Sequence, residues 1–318
     1  MKSYKDIRGD GGSDVVGQVT EQADRLSARL AGVRHVIAVM SGKGGVGKSS
    51  VTVNLASSLA RDGARVGILD ADINGSSIPK LTGVRGRRLE RGATGMIPPV
   101  TAFNIKVVSI DLLLKDDSEP VLWDATTQHD AYTWRAMMEM GAIREFLSDT
   151  EWGPLDFLFI DLPPGTDKLP NIAGLLPRLS GTVVVTLPSG ISQFVVGKSI
   201  RVARTLLKTP VIGLVENMSS HRCPHCGEEE ELFPGGNVER MCAAEDVPFL
   251  GKIPVDARIA AAADEEVLFM TKHSDTLAGV AINAIANGVR SFVERPAVAE
   301  RPTTRGDVSR QNQTGGTR

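Results

Sequence analysis

Short runs of consecutive apolar residues alternate, through most of the chain, with stretches in which apolar residues recur every three to four positions. The runs at 35–40, 65–70, 105–110, 157–161, 182–186, 211–216 and 249–253 predict strands. Most lack period-two polarity, as strands covered by helices on both faces do. Between and after them, Val196, Ile200, Ala203 and Leu207 fall on one helical face, and Ala278, Ile282, Ile285, Val289 and Phe292 on another. Strand and helix in alternation, with right-handed crossovers, predict an α/β fold: a doubly wound, mostly parallel sheet in three αβα layers. Ligands of such a sheet bind beyond the carboxyl ends of its strands.

The pattern fades at both ends. Residues 1–33 are polar and contain glycine, with one weakly amphipathic stretch near 19–30, and read as an N-terminal arm that is partly flexible or a surface helix. Residues 34–294 carry the α/β pattern, and 295–318, rich in Pro, Thr, Arg, Gln and Gly, predict a disordered tail. A net charge of −2 over 318 residues gives no general reason to expect nucleic-acid binding. No apolar run approaches the roughly 18 residues of a membrane span, and the first residues lack the apolar stretch of a signal peptide. Three cysteines, two of them in a C-x-x-C, suit a reducing compartment and metal chemistry. The expected location is the cytoplasm.

The chemistry begins after the first predicted strand. Gly42-Lys43-Gly44-Gly45-Val46-Gly47-Lys48-Ser49 satisfies the G-x-x-x-x-G-K-S/T pattern and opens a helical stretch with Val53, Leu55, Ala56 and Leu59. Glycines let backbone N–H groups curl around phosphate oxygens, and the helix N-terminus adds a positive dipole end. These eight residues, with Ser50 directly after them, are the expected contacts to ATP. Lys48 should reach the β- and γ-phosphates and Ser49 should ligate Mg²⁺. The apolar run 157–161 closes on Asp161, an acid costly to bury unless it meets a cation, so the Mg²⁺ shell is its expected destination. Leu162-Pro163-Pro164-Gly165-Thr166 then forms a stiff turn suited to sensing the γ-phosphate.

The stretch Ser41 to Ser49 resembles the deviant Walker A motif of MinD/ParA-type ATPases. That resemblance implies that Lys43 reaches across a dimer to the partner's nucleotide. Asp70 and Asp72, at the end of the second predicted strand, resemble the D-x-D of the same group. It implies that Asp72 positions the attacking water and that Asp70 supports the Mg²⁺ shell. By the same resemblance Asn217 hydrogen-bonds the base.

Cys223-Pro224-His225-Cys226-Gly227 places two thiols three positions apart. Three readings compete. A zinc knuckle needs four ligands, and Cys242 with His221 or His225 would have to complete it, although Val238, Met241 and Cys242 share a helical face and suggest core packing. A thioredoxin-like redox pair lacks its usual surroundings. The third is an iron–sulfur cluster held by two cysteines from each of two chains.

Gly213-Leu214-Val215-Glu216-Asn217-Met218-Ser219, the C-x-x-C, Phe233, Gly235-Gly236 and Val247-Pro248-Phe249-Leu250-Gly251-Lys252-Ile253-Pro254 closely resemble the Mrp/ApbC family of iron–sulfur cluster carrier ATPases. So do Trp134-Arg135 and Asp161 to Thr166, and the likeness covers roughly 34–270. It implies a cytosolic homodimeric ATPase that holds a 4Fe–4S cluster on Cys223 and Cys226, receives it from an assembly scaffold and passes it to apo-proteins. The small N-terminal domain of many bacterial members and the N-terminal cysteines of the eukaryotic branch are absent. Ala136-Met137-Met138 replaces the usual Gly-Pro-Met after an unusual stretch at 116–133, and Asp167-Lys168 stands where Gly-Asp is common. Two alternatives remain: a MinD/ParA-like positioning ATPase, and a targeting ATPase with zinc at its dimer interface. The first lacks an amphipathic basic end helix and a basic surface, and the second lacks a clear Met-rich client subdomain.

Overall fold

The computed structural model describes residues 15–114, 128–165, 172–176, 179–223, 225–233 and 236–295. In chain order these form α1 (Val15–Leu30), β1 (Val33–Ser41), α2 (Lys48–Arg61), β2 (Val66–Asp70), α3 (Ile78–Thr82), β3 (Glu90–Arg91), β4 (Met96–Ile97) and β5 (Lys106–Val108). A 3-10 turn at Ile110–Leu113 follows, then α4 (Gln128–Asp149), β6 (Leu155–Asp161), β7 (Gly181–Thr186), α5 (Gly190–Thr205), β8 (Val211–Arg222) and β9 (Glu229–Glu231). The chain continues through α6 (Val238–Ala244), β10 (Phe249–Val255), α7 (Ala257–Asp264), α8 (Phe269–Lys272) and α9 (Leu277–Val293).

The main sheet runs β10-β8-β7-β1-β6-β2-β5, every neighbouring pair parallel, and β9 pairs antiparallel with the far end of β8. Every strand expected from the sequence lies in it. Strand β1 shows why its sequence has no polar face. Ile37 and Val39 enter one core layer beneath α2 and α9, while Val36, Ala38 and Met40 enter the other, with Phe146 and Leu147 of α4 and Val196 and Ile200 of α5. Both faces of the strand are dry. The same sandwiching affects α2, in which Val51 through Leu59 are all buried, a helix covered nearly all round rather than one with a single apolar face.

Three departures from the sequence reading have physical causes. The third predicted strand, expected over 105–110, stops at Val108, because Ser109 turns its hydroxyl toward Asp70 and the chain then winds into the 3-10 turn. Strand β8 continues through polar residues to Arg222, since β10 and β9 supply ladder partners where the apolar run has ended. The stretch near 19–30 lies within the longer helix α1, which buries Leu30, packs Leu26 on the second core layer and donates from Arg29 Nε to Ser148 O at 3.1 Å. Apart from Arg295, the tail expected over 295–318 lies outside the described residues, as do residues 1–14.

Strand β6 is tethered at its start. Asp156 accepts from Arg65 Nε at 3.1 Å and Nη2 at 3.0 Å, and Arg34 stands 3.2 Å away. These contacts, the Arg65 side-chain hydrogen bond first, hold its carboxyl down to about 2. Five residues later the strand ends on Asp161, at the carboxyl end of the sheet.

Candidate functional site

Strand β1 ends at Ser41, and α2 begins at Lys48 with Gly47 in the left-handed region (φ 81°) as its cap. Only glycine takes this conformation cheaply, and a Cβ at Gly47 would also overlap the side-chain amide of Asn217. A Cβ at Gly42 would overlap Val195 of α5. The loop is tied from within and from below: Ser41 Oγ donates to Lys43 O at 2.8 Å, and Gly165 N donates to Ser41 O at 3.1 Å. The turn after β6 is therefore fastened directly to the phosphate loop.

Over the loop opens a cleft of about 370 Å³, lined by Lys43, Gly44, Gly45, Gly47, Lys48, Ser49, Ser50, Asp72 and Pro164, among others. It gathers most of the residues expected at the nucleotide. Two expected contacts face elsewhere: Val46 buries its side chain in the core, and Gly42 packs on α5. Only the backbone of these two residues is left to meet a ligand in the cleft. Lys43 is exposed and, among the described residues, pairs with no carboxylate. Asn217 stands directly behind the loop. Its Nδ2 donates to Val46 O at 2.9 Å, so the side chain braces the loop.

Beneath the cleft, Asp161 is fully buried and saturated with donors. Lys48 Nζ approaches Oδ2 at 2.5 Å, Ser49 Oγ approaches the same atom at 2.6 Å, and Thr52 Oγ1 reaches Oδ1 at 2.6 Å. Thr52 was not singled out in the sequence, yet it sits one helical turn beyond Lys48, a spacing that turns it to the same side of α2. Asp70 lies beside Asp161 in the β2–β6 register. It accepts from Ser76 Oγ at 2.9 Å, Ser109 Oγ at 3.4 Å and the Asp72 N–H at 3.1 Å. Burial, and then the charge of Asp161, push its carboxyl up to about 7. Ser109 was missed because its only signal is its place at a strand's carboxyl end. The donors assembled here are hydroxyls and carboxylates, the hard oxygen set that Mg²⁺ takes. A divalent cation beside Asp70 would restore the charge that burial suppresses.

The two paired cysteines sit at the tip of the β8–β9 hairpin. Gly227 N donates to Cys223 O at 2.9 Å and Cys223 N to Glu228 O at 2.8 Å, closing a tight turn that requires Gly227 at φ 76°. Hydrogen bonds from the Cys226 and His225 backbone, and from the Cys226 side chain, lower the Cys223 thiol below its ordinary value. Cys226 is exposed. Cys242 is the opposite: buried, and driven up to about 11 by burial and the charges of Glu216 and Glu239. It packs in the core with Val238, as its helical spacing predicts. Among the described residues no group of three or more His, Cys, Asp or Glu is placed to hold a metal ion. Neither His221, His225 nor Cys242 completes a zinc knuckle within one chain. Thr166, Asp167, Lys168, Pro224 and Gly235 lie outside the described residues. So do the side chains of Trp134, Arg135 and Met137, and much of 116–133.

Known proteins resemble this chain in sequence and in fold. A family model described as ParA, NUBPL iron-transfer P-loop NTPase, matches residues 32–290. A curated protein named iron-sulfur cluster carrier protein, from Saccharolobus solfataricus, is 42% identical over 281 residues, covering 88% of this chain and 91% of its own. One of the same name from Methanocaldococcus jannaschii is 42% identical over 250 residues, covering 78% and 82%. Among solved structures, a nucleotide-binding protein from Archaeoglobus fulgidus in complex with ADP, in which cobalt was found, superposes with a TM-score of 0.67 at 36% identity. That match covers 78% of this chain and 93% of the other. The Pyrococcus furiosus cell division ATPase MinD superposes with a TM-score of 0.56 at 20% identity, which speaks for the fold alone.

Proposed function

The chain belongs to the family of ParA-type, NUBPL iron-transfer P-loop NTPases, and from that membership we propose that it hydrolyses ATP and carries a 4Fe–4S cluster to apo-proteins. The observation that carries the second half is the hairpin turn. It presents two thiols at the surface, one of them shifted toward thiolate, with no third ligand beside them among the described residues. A 4Fe–4S cluster normally takes four thiolates. A two-fold dimer supplies the second pair by symmetry, because the same loop stands on both sides of an isologous interface. Few ligands near the surface suit a cargo that must be given away. The recipients are apo iron–sulfur proteins and the donor is an assembly scaffold, in the cytoplasm. No described helix is long and apolar enough to cross a membrane.

At the other site the substrate is ATP. Its phosphates lie along the backbone N–H groups of residues 42–49, with the side chains of Lys48 and Ser50 close by. Lys48 would turn from Asp161 to the β/γ-phosphates, which would leave the Asp161 carboxylate available to hold Mg²⁺. Mg²⁺, held by Ser49, Asp161 and Asp70, would neutralise charge on the phosphate oxygens. Asp72, at the cleft wall, orients the attacking water, and the exposed Lys43 of each chain reaches the nucleotide of the other. Positioning and charge neutralisation are what phosphoryl transfer requires.

Anaerobic reconstitution with iron and sulfide, followed by a metal count and a spectrum, tests the carrier. The expected result is about four irons per dimer, lost on Cys223→Ala or Cys226→Ala and kept on Cys242→Ala. Zinc held between two chains with no affinity for iron would favour the targeting ATPase. Neither metal would favour the positioning ATPase.

A further inference from the structure

The nucleotide loop and the cysteine turn are joined by one strand. Asn217, within β8, donates from Nδ2 to Val46 O at 2.9 Å, and six residues further on, directly after the strand's last residue Arg222, stands Cys223. The residue between Asn217 and the polar end of the strand is unusual. Met218 is held at φ 55°, in the left-handed region that a non-glycine residue seldom adopts inside a strand. The ladder to β10 breaks at the same place: Ile253 pairs with Asn217, but Val255 pairs with His221, so β8 bulges over residues 218–220. Gly47 lies against both residues, close enough that a Cβ there would strike the Asn217 amide and touch Met218 Cε at 3.6 Å.

The acceptor atom matters. The Val46 carbonyl and the Gly47 N–H belong to one rigid peptide plane. Gly47 N–H is one of the loop donors that must turn to phosphate, and turning it rotates the Val46 carbonyl with it. Asn217 therefore grips the back of a peptide whose front faces the nucleotide. The bulge at Met218 gives the strand a point at which a small rotation is passed on to the hairpin, rather than absorbed by a continuous ladder.

We propose that β8 links the two sites, with Asn217 as the positioning residue through which phosphate in the loop changes the exposure and orientation of the Cys223–Cys226 turn. The purpose of this link, timing the release of a metal cargo, rests on the proposed carrier function; the link itself does not. One hydrogen bond, by its usual net contribution, changes an equilibrium about fivefold.

Its test uses the full-length protein without metal. The rate of iodoacetamide labelling at Cys223 and Cys226 is followed by peptide mass, with and without saturating Mg²⁺ and a non-hydrolysable ATP analogue. Cys242, buried, serves as the silent internal reference. The native rate should change about fivefold with nucleotide. In Asn217→Ala, and in Asn217→Asp, which keeps the shape but replaces the donor with an acceptor, the ratio should fall to about one, the value for a lost coupling. A native rate indifferent to nucleotide overturns the link. So does a response that survives in both variants, since closure of two copies would then account for it. Should Asn217→Ala no longer saturate with nucleotide, Met218→Gly decides. It leaves the contact to Val46 intact and relaxes the bulge, so a full native ratio in that variant overturns the proposal. Iron and sulfide binding, measured separately on the native chain, reports on the carrier function. A coupled turn that takes no cluster would leave the link standing and remove the cargo.

Discussion

Lys48 Nζ and Asp161 Oδ2 lie 2.5 Å apart with both side chains buried, a lysine from the helix after the phosphate loop meeting the last residue of β6. Removing one member of such a pair leaves the other charged and dry. Lys48→Ala should therefore abolish ATP hydrolysis and also cost roughly 3–5 kcal/mol in denaturant unfolding. Adding Asp161→Asn should return most of that stability and none of the activity. Normal turnover by a folded Lys48→Ala protein would remove the assignment of the loop.

Asp72 borders the cleft without belonging to the cage around Asp161. Asp72→Asn should keep nucleotide affinity within about threefold while lowering turnover by about 100-fold or more, the range for lost positioning of a reacting group. Equilibrium binding and steady-state rates separate the two. A large loss of affinity at unchanged turnover would make Asp72 a binding residue instead.

Lys43 projects from the loop into solvent. If it acts on a neighbouring chain, hydrolysis per chain should rise with protein concentration, and Lys43→Ala should flatten that dependence. A concentration-independent rate that Lys43→Ala leaves untouched rules out the cross-chain role.

Asp70 makes stability depend on pH. Its carboxyl rises from 3.8 to about 7 on folding, so the folded chain favours the protonated form. That contribution is complete below the lower value and is lost as pH rises through the upper one. In EDTA, thermal unfolding should shift downward between about pH 4 and pH 8. Asp70→Asn, which keeps a neutral side chain in the same cage, should fall less over that window. A native chain and an Asp70→Asn chain with parallel pH curves would mean that the carboxyl is ionised throughout.

Much of this site is visible in the sequence because its chemistry sits where strong local patterns end. The glycines of the loop, the acid closing a wholly apolar run, and the thiols at fixed spacing each announce themselves without tertiary information. What stays hidden depends on neighbours distant in the chain. The Ser109 hydroxyl has no meaning until β5 is placed beside β2. The bond from the Asn217 amide to Val46 O has no local signal, and follows from the packing of β8 against the loop. The polar end of β8 carries no apolar signal, because its order comes from ladder bonds to β9 and β10 rather than from burial. In α2, packed against α9, polar positions such as Thr52, Ser57 and Ser58 are buried too, which helical periodicity alone does not announce.

Strand β6 carries near its start Asp156, clasped by Arg65 and Arg34, and ends on Asp161 beneath the cleft. The clasp is partly exposed and faces away from all the chemistry. This makes the Arg34–Arg65 edge a natural place to handle the molecule. A dye, an affinity tag or a surface attachment fixed there would hold the protein by the rear of its sheet. The phosphate loop and the cysteine turn would stay free, so both could be watched in a single immobilised molecule.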